Sequence, residues 1–168
     1  MKLDTLEDLL VEQLEDLYAT EKKLLSTIPK MANASQSPDL KNAFNENYEL
    51  TRNQISRLDD VYNKLGLTHR DFLRFETSGV VKYGEEVATT TGNSVVKDAA
   101  LIAAAQRVKH YEMAGYGSAR TFAHELGYKD VENLLQKTLD EEGKTDRNFT
   151  KIAEGGMFSA GINPSAPK

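Results

Sequence analysis

A carboxylate stands where an apolar residue would be expected. In the run Ser94 to Gly127, the residues Leu101, Ala105, Val108, Gly115, Ala119, Ala123 and Leu126 fall on one stripe of a helix at ~100° of turn per residue, and Glu112 lies in the middle of that stripe. Glu21 sits between Leu17 and Leu24 on a similar apolar line. Glu142 and Asp146 share a line with Val131, Leu135, Leu139, Phe149 and Ala153. An isolated ionised carboxylate in an apolar interior is costly, so acids placed this way must be protonated, paired with a cation or bound to a metal.

The acids also show a faint symmetry. The separation of Glu21 from Glu49 nearly equals that of Glu112 from Glu142, as though each half of the chain were a helical hairpin with an acid near the middle of each arm. Two such hairpins would bring Glu21, Glu49, Glu112 and Glu142 to one level of a four-helix bundle, with Asp146 in support. That pattern suits a carboxylate-bridged pair of metal ions, iron or manganese, whose charge the acids cancel. The design ordinarily pairs a glutamate with a histidine three residues on. Here Glu49-Leu-Thr-Arg52 and Glu142-Gly-Lys-Thr145 put arginine and threonine in those places. Arginine does not ligate metals. A second chemistry therefore stays open, in which Arg52 neutralises the acids in a plain ion-pair cluster and the bundle serves as an interaction scaffold.

The elements that must hold these residues follow from caps and breakers. Asp4 or Thr5 can cap a first helix running to about Ala32, with Pro29 bending or ending its last turns. Ser37 before Pro38 opens a second helix that stops at Gly66, with Phe44, Tyr48, Thr51, Ile55, Leu58 and Tyr62 on its apolar line. By the same angular count Glu49 and Arg52 lie on the flank, roughly 140° and 80° from Phe44. A long connection follows, with a short helix expected around Asp71 to Val87 and a polar stop at Thr89 to Asn93. Its length suggests a crossover along the bundle. The Glu112 helix ends at Gly127, and the last helix starts at Asp130 and ends at Gly155 and Gly156. The division is then a bundle over 1–154 and a flexible C-terminal tail over 155–168. Gly115 and Gly117 read as marks of close helix contact.

Other chemistry is thin. With 21 basic and 26 acidic residues the formal charge is −5, which disfavours nucleic acid and anionic membranes as partners. There is no cysteine, so thiolate sites and disulfides are excluded and any metal takes oxygen or nitrogen ligands. The acidic N-terminal segment is unlike a signal peptide and no apolar run reaches a membrane span, so a cytoplasmic protein is expected. His110 and His124 fall off the apolar stripe and His69 lies in the connection, and Tyr18, Tyr48, Tyr111 and Tyr116 read as packing and interface residues. Thr89 to Ser94 lacks the spacing of a phosphate-binding loop, and no nucleophile–base pair is legible.

The segments Leu14 to Leu25 (LEDLYATEKKLL), Asp98 to Tyr128 with its HYE-x-A-x-YG block, and Leu134 to Asp146 (LLQKTLDEEGKTD) together resemble the YciE/YciF bacterial stress-protein family, on its YciF side. The resemblance implies an all-α, ferritin-like four-helix bundle, a homodimer, a role in stress responses and a dinuclear metal centre; together with the core-facing acids it makes Fe(II) oxidation or peroxide consumption the expected chemistry. Glu21, Glu112 and Glu142 match its pattern by motif, and Glu49 matches less closely. On the YciF side of the family a histidine stands at the position of Arg52 and a glutamate at that of Lys109, so both changes here remove ligands or acids.

Overall fold

The structure is a computed structural model that describes residues 3–68, 79–156 and 159–168. Helix α1 spans Leu6–Ala34 and opens on a capping box, in which Thr5 accepts from Asp8 N and the Asp8 carboxylate accepts from Thr5 N. It runs on through Pro29 to Ala34, so the proline does not end it. Helix α2, Pro38–Leu65, has Ser37 as N-cap, proline in its first turn and Gly66 at φ 65° as its left-handed stop. Helix α3 is Gly79–Thr89, and the part of the expected connection helix at 71–78 lies outside the described residues. Helix α4, Ser94–Glu125, is capped by Asn93, whose side chain accepts from Val95 N and Val96 N. Helix α5 is Lys129–Glu154.

Polar contacts at the helix ends fix the directions. Tyr128 donates to Glu7 at 2.9 Å and Lys64 pairs with Asp130 at 2.9 Å, so the start of α1, the end of α2 and the start of α5 share one end of the molecule. At the other end the buried Asp98 of α4 accepts from Gln36 N at 2.9 Å and Ser37 N at 2.7 Å, in the α1–α2 loop. The α2–α4 connection therefore traverses the bundle's length, as its size suggested. Helix α3 packs on α1 and α4, where Glu85 pairs with Lys23 and Lys30 and Arg107 lies 4.6 Å from the Tyr83 ring centroid. Neighbours around the bundle are α1–α2, α2–α5, α5–α4 and α4–α1, and by the same end contacts each pair is antiparallel.

Of the C-terminal residues expected as a flexible tail, the described ones, 155–156 and 159–168, lie back against the helices. Strands β1 (Gly155–Gly156) and β2 (Ser159–Ala160) form a two-stranded antiparallel ladder, and the short helix α6 (Ile162–Ser165) packs on α4 and α5 through the buried Ile162. Gly161 is forced at this return, because a Cβ there would overlap the backbone of Ala153, Glu154 and Gly155. Gly115 also meets its expectation: a Cβ would lie 2.8 Å from Leu17 Cδ2, which marks the α1–α4 contact. Gly117 faces no such neighbour.

Buried apolar residues form two clusters along the bundle axis. One contains Leu24, Ile28, Phe44, Val108 and Phe149, and the other Leu17, Leu58, Tyr62, Tyr116 and Leu135. Between Leu17 and Leu24, between Val108 and Tyr116 and between Leu135 and Phe149 the chain places Glu21, Glu112 and Glu142. A polar layer thus divides an apolar core.

Candidate metal centre

Each helix of the bundle contributes to that layer. Glu21 comes from α1, Lys109, Glu112 and Tyr116 from α4, Glu142 from α5, and Asn47, Thr51 and Gln54 from α2, and all are buried. One carboxylate oxygen of each glutamate lies within 4.8 Å of the other two, and these three acids form a group that could hold a metal ion. The set offers oxygen alone, which suits hard divalent cations.

Lys109 lies among the acids and is itself only 1 % exposed. Its Nζ is 2.7 Å from Glu112 Oε2 and 2.6 Å from Glu142 Oε2, and it donates to Asn47 Oδ1 at 3.2 Å. Gln54 donates to the other Glu142 oxygen at 2.7 Å, and the Tyr116 hydroxyl donates to Glu21 Oε1 at 2.8 Å. Glu21 Oε2 and Glu112 Oε1 have no hydrogen-bond partner although fully buried. Orphaned carboxylate oxygens at such depth call for a proton or a cation. At the edge of the layer Arg57 makes a bidentate pair with Glu141 at 2.8 and 3.0 Å and also donates to Thr138.

The electrostatics follow from burial. Desolvation and the nearby Glu142 charge push the Glu21 carboxyl up to about 8, against the partial offset of Lys109, Tyr116 and Arg57. Glu112 is raised well above the usual carboxylate range by burial, and by Glu142 against Lys109. For Lys109 burial acts downward, but the charges of Glu112, Glu142 and Glu21 outweigh it and hold the ammonium protonated. Burial and Glu21 raise the Tyr116 phenol, so it stays a hydrogen-bond donor.

Of the acids picked out in the sequence, the structure brings Glu21, Glu112 and Glu142 together. Glu49 does not join them; its side chain is 61 % exposed and pairs with Arg52, itself 59 % exposed, at 2.9 Å. Arg52 therefore does not neutralise the core acids, and Lys109 is the cation that does. The reason is geometric, since the apolar line of α2 points Phe44, Thr51 and Leu58 inward and leaves position 49 on the flank. Asp146 lies one turn beyond Glu142, partly buried, with Oδ2 at 3.5 Å from His110 Nε2. His110 and His124 have exposed side chains, and His69 lies outside the described residues. Sequence reasoning marked position 109 only through the resemblance, as a lost acid, and missed Lys109 as the neutralising cation and Asn47, Gln54 and Tyr116 as members of the layer. The available signal was spacing: Lys109 is one turn before Glu112 and Tyr116 one turn after it.

The chain and its fold have relatives among known proteins. Residues 5–160 match the family described as a domain of unknown function, DUF892. The protein YciF of Escherichia coli is 39% identical over 154 residues, covering 91% of this chain and 93% of its own length. The crystal structure of that E. coli stress protein superposes with a TM-score of 0.85 at 38% identity, over 89% of this chain and 95% of the other. YcfI from Rhodopseudomonas palustris gives 0.84 at 35% identity, over 91% and 99% of the two chains. A Xanthomonas campestris protein at 20% identity and a TM-score of 0.68, over 88% and 89%, shares the fold. The chain is thus an all-α, ferritin-like bundle packed as in YciF, and it belongs to the DUF892 family.

Proposed function

We propose that this chain is a bacterial stress-response protein whose bundle core takes a divalent metal ion, manganese or iron, on Glu21, Glu112 and Glu142. The stress role rests on its E. coli relative, the stress protein YciF. A cytoplasmic setting and pairing with a second copy belong to the same reading and rest on the family likeness; among the described residues no helix is long and apolar enough to cross a membrane.

The observation that carries the metal assignment is the pair of orphaned oxygens. Glu21 Oε2 and Glu112 Oε1 are fully buried and have no hydrogen-bond partner. Carboxylates in that state gain most from a cation. Tyr116 and Gln54 orient two of the three acids by hydrogen bonds to their remaining oxygens, which is how surrounding groups ordinarily fix metal ligands. When bound, a redox-active ion such as iron would supply one-electron chemistry of the kind that oxidises Fe(II) or consumes peroxide. The chain's own contribution is to hold the acids in register, exclude bulk water with the apolar clusters above and below, and keep the Tyr116 proton on its oxygen.

A second reading is favoured by one specific observation, the two short ion pairs of Lys109. In it the layer is a metal-free ionic cluster and the bundle is a scaffold. Anaerobic titration of Fe(II) and Mn(II) into the chelator-treated protein separates the two. The metal reading expects saturable binding in the wild type and its loss in Glu112→Gln and Glu142→Gln; equal, near-zero uptake by all three would leave the scaffold reading standing.

A further inference from the structure

We infer that Lys109 is a built-in cation that fills one of the positive positions of the core layer, so that the layer accepts one divalent ion per chain and excludes a second. This rests on the metal reading above and goes beyond it by fixing the stoichiometry and naming the residue that sets it.

Charge balance carries the argument. In the deprotonated state that binds metal, three carboxylates and one ammonium leave two negative charges in a water-excluded layer, which one divalent cation cancels. A second divalent ion would leave two uncompensated positive charges at the same depth, where isolated charge is least tolerated. The neighbouring Arg57 and Glu141 cancel each other and change nothing in the balance. Geometry agrees with charge. The ammonium lies 2.6 and 2.7 Å from oxygens of Glu142 and Glu112, a site a second metal would need, and Asn47 of α2 anchors it there. The oxygens left over, Glu21 Oε2 and Glu112 Oε1, are the ones that the Tyr116 hydroxyl and the Lys109 ammonium do not engage. They mark where the one ion is held.

The test is metal stoichiometry in chelator-treated full-length protein loaded with Mn(II), read by elemental analysis and by electron paramagnetic resonance. Wild type should hold one ion per chain with the six-line signal of isolated Mn(II). Lys109→Glu raises the layer to four negative charges and should hold two ions with a spin-coupled signal. Lys109→Met, whose side chain fills a similar volume, keeps one position and should bind it at least tenfold more tightly, since a like charge has been removed from beside the ion. Circular dichroism establishes which variants are folded, and Lys109→Met decides the matter if Lys109→Glu does not fold. Two ions in the wild type would overturn the inference and leave the metal reading intact. So would a folded Lys109→Glu that stays at one ion, or a Lys109→Met that binds no more tightly. No ion in the wild type but one in Lys109→Met would overturn the metal reading while supporting Lys109 as the occupant; no ion in any of the three overturns both.

Discussion

Replacing Glu21 by glutamine should flatten the pH dependence of the metal-free protein's stability. Glu21 keeps its proton up to about 8 in the fold, against an ordinary value of 4.5 in the unfolded chain. Because the folded-state value is the higher one, the fold binds the extra proton between these limits, and stability falls as pH rises from about 4.5 to about 8. Below that window the carboxyl is neutral in both states and costs nothing. Each pH unit within it is worth about 1.4 kcal/mol, so by pH 7 the penalty is on the order of 3 kcal/mol. Every element facing Glu21 contributes to this: Glu112, Lys109 and Tyr116 on α4, Glu142 on α5 and Arg57 on α2. Glutamine has the shape of the protonated acid and can still accept from the Tyr116 hydroxyl. Urea denaturation in chelator at pH 5, 6, 7 and 8 should therefore find Glu21→Gln close to wild type at pH 5 and more stable by roughly 2–4 kcal/mol at pH 7–8, the range set by coupling to Glu112. Two denaturation profiles that run parallel across this range would refute the reasoning, because they would mean that Glu21 is ionised at neutral pH at no cost.

Three further outcomes are expected. Glu49→Ala removes an exposed ion pair with Arg52, so it should change stability by less than about 1 kcal/mol and leave metal uptake unaltered in a calorimetric titration. Asp98→Ala removes the buried carboxylate that accepts from Gln36 N and Ser37 N in the α1–α2 loop and should cost about 1.5–3 kcal/mol in urea unfolding. Gly161→Ala cannot fit against Ala153 to Gly155, so limited proteolysis should cut the C-terminal return sooner, while the bundle's melting temperature moves by only a few degrees.

Much of this architecture could be read from the chain because its signals are local. Ser37-Pro38 opens a helix and Gly66 closes one by backbone preferences that need no partner. Glu112 was conspicuous because an acid on an apolar stripe is a local contradiction. What escaped notice depends on the other helices. Lys109 stands out only through the resemblance, as a lost acid, and its role as a cation emerges when Glu142 and Asn47 arrive from α5 and α2. Asn47 and Gln54 look like ordinary polar residues of an amphipathic helix, yet both point inward in the layer. Glu49 shows the reverse case. The even spacing of acids drew it toward the centre, whereas its own angular position, about 140° from Phe44, already placed it outside. Helix phase was the better guide, since a side chain cannot leave the face its backbone gives it. The C-terminal residues were read from composition alone, which carries no information about the close approach that Gly161 permits.

The most direct test of the central claim is elemental analysis of the protein purified without added metal, alongside Glu112→Gln purified the same way. The account predicts about one equivalent of manganese or iron per chain in the wild type and a near-complete loss in the variant; wild-type protein free of both metals, and unable to take up either on incubation, would contradict it.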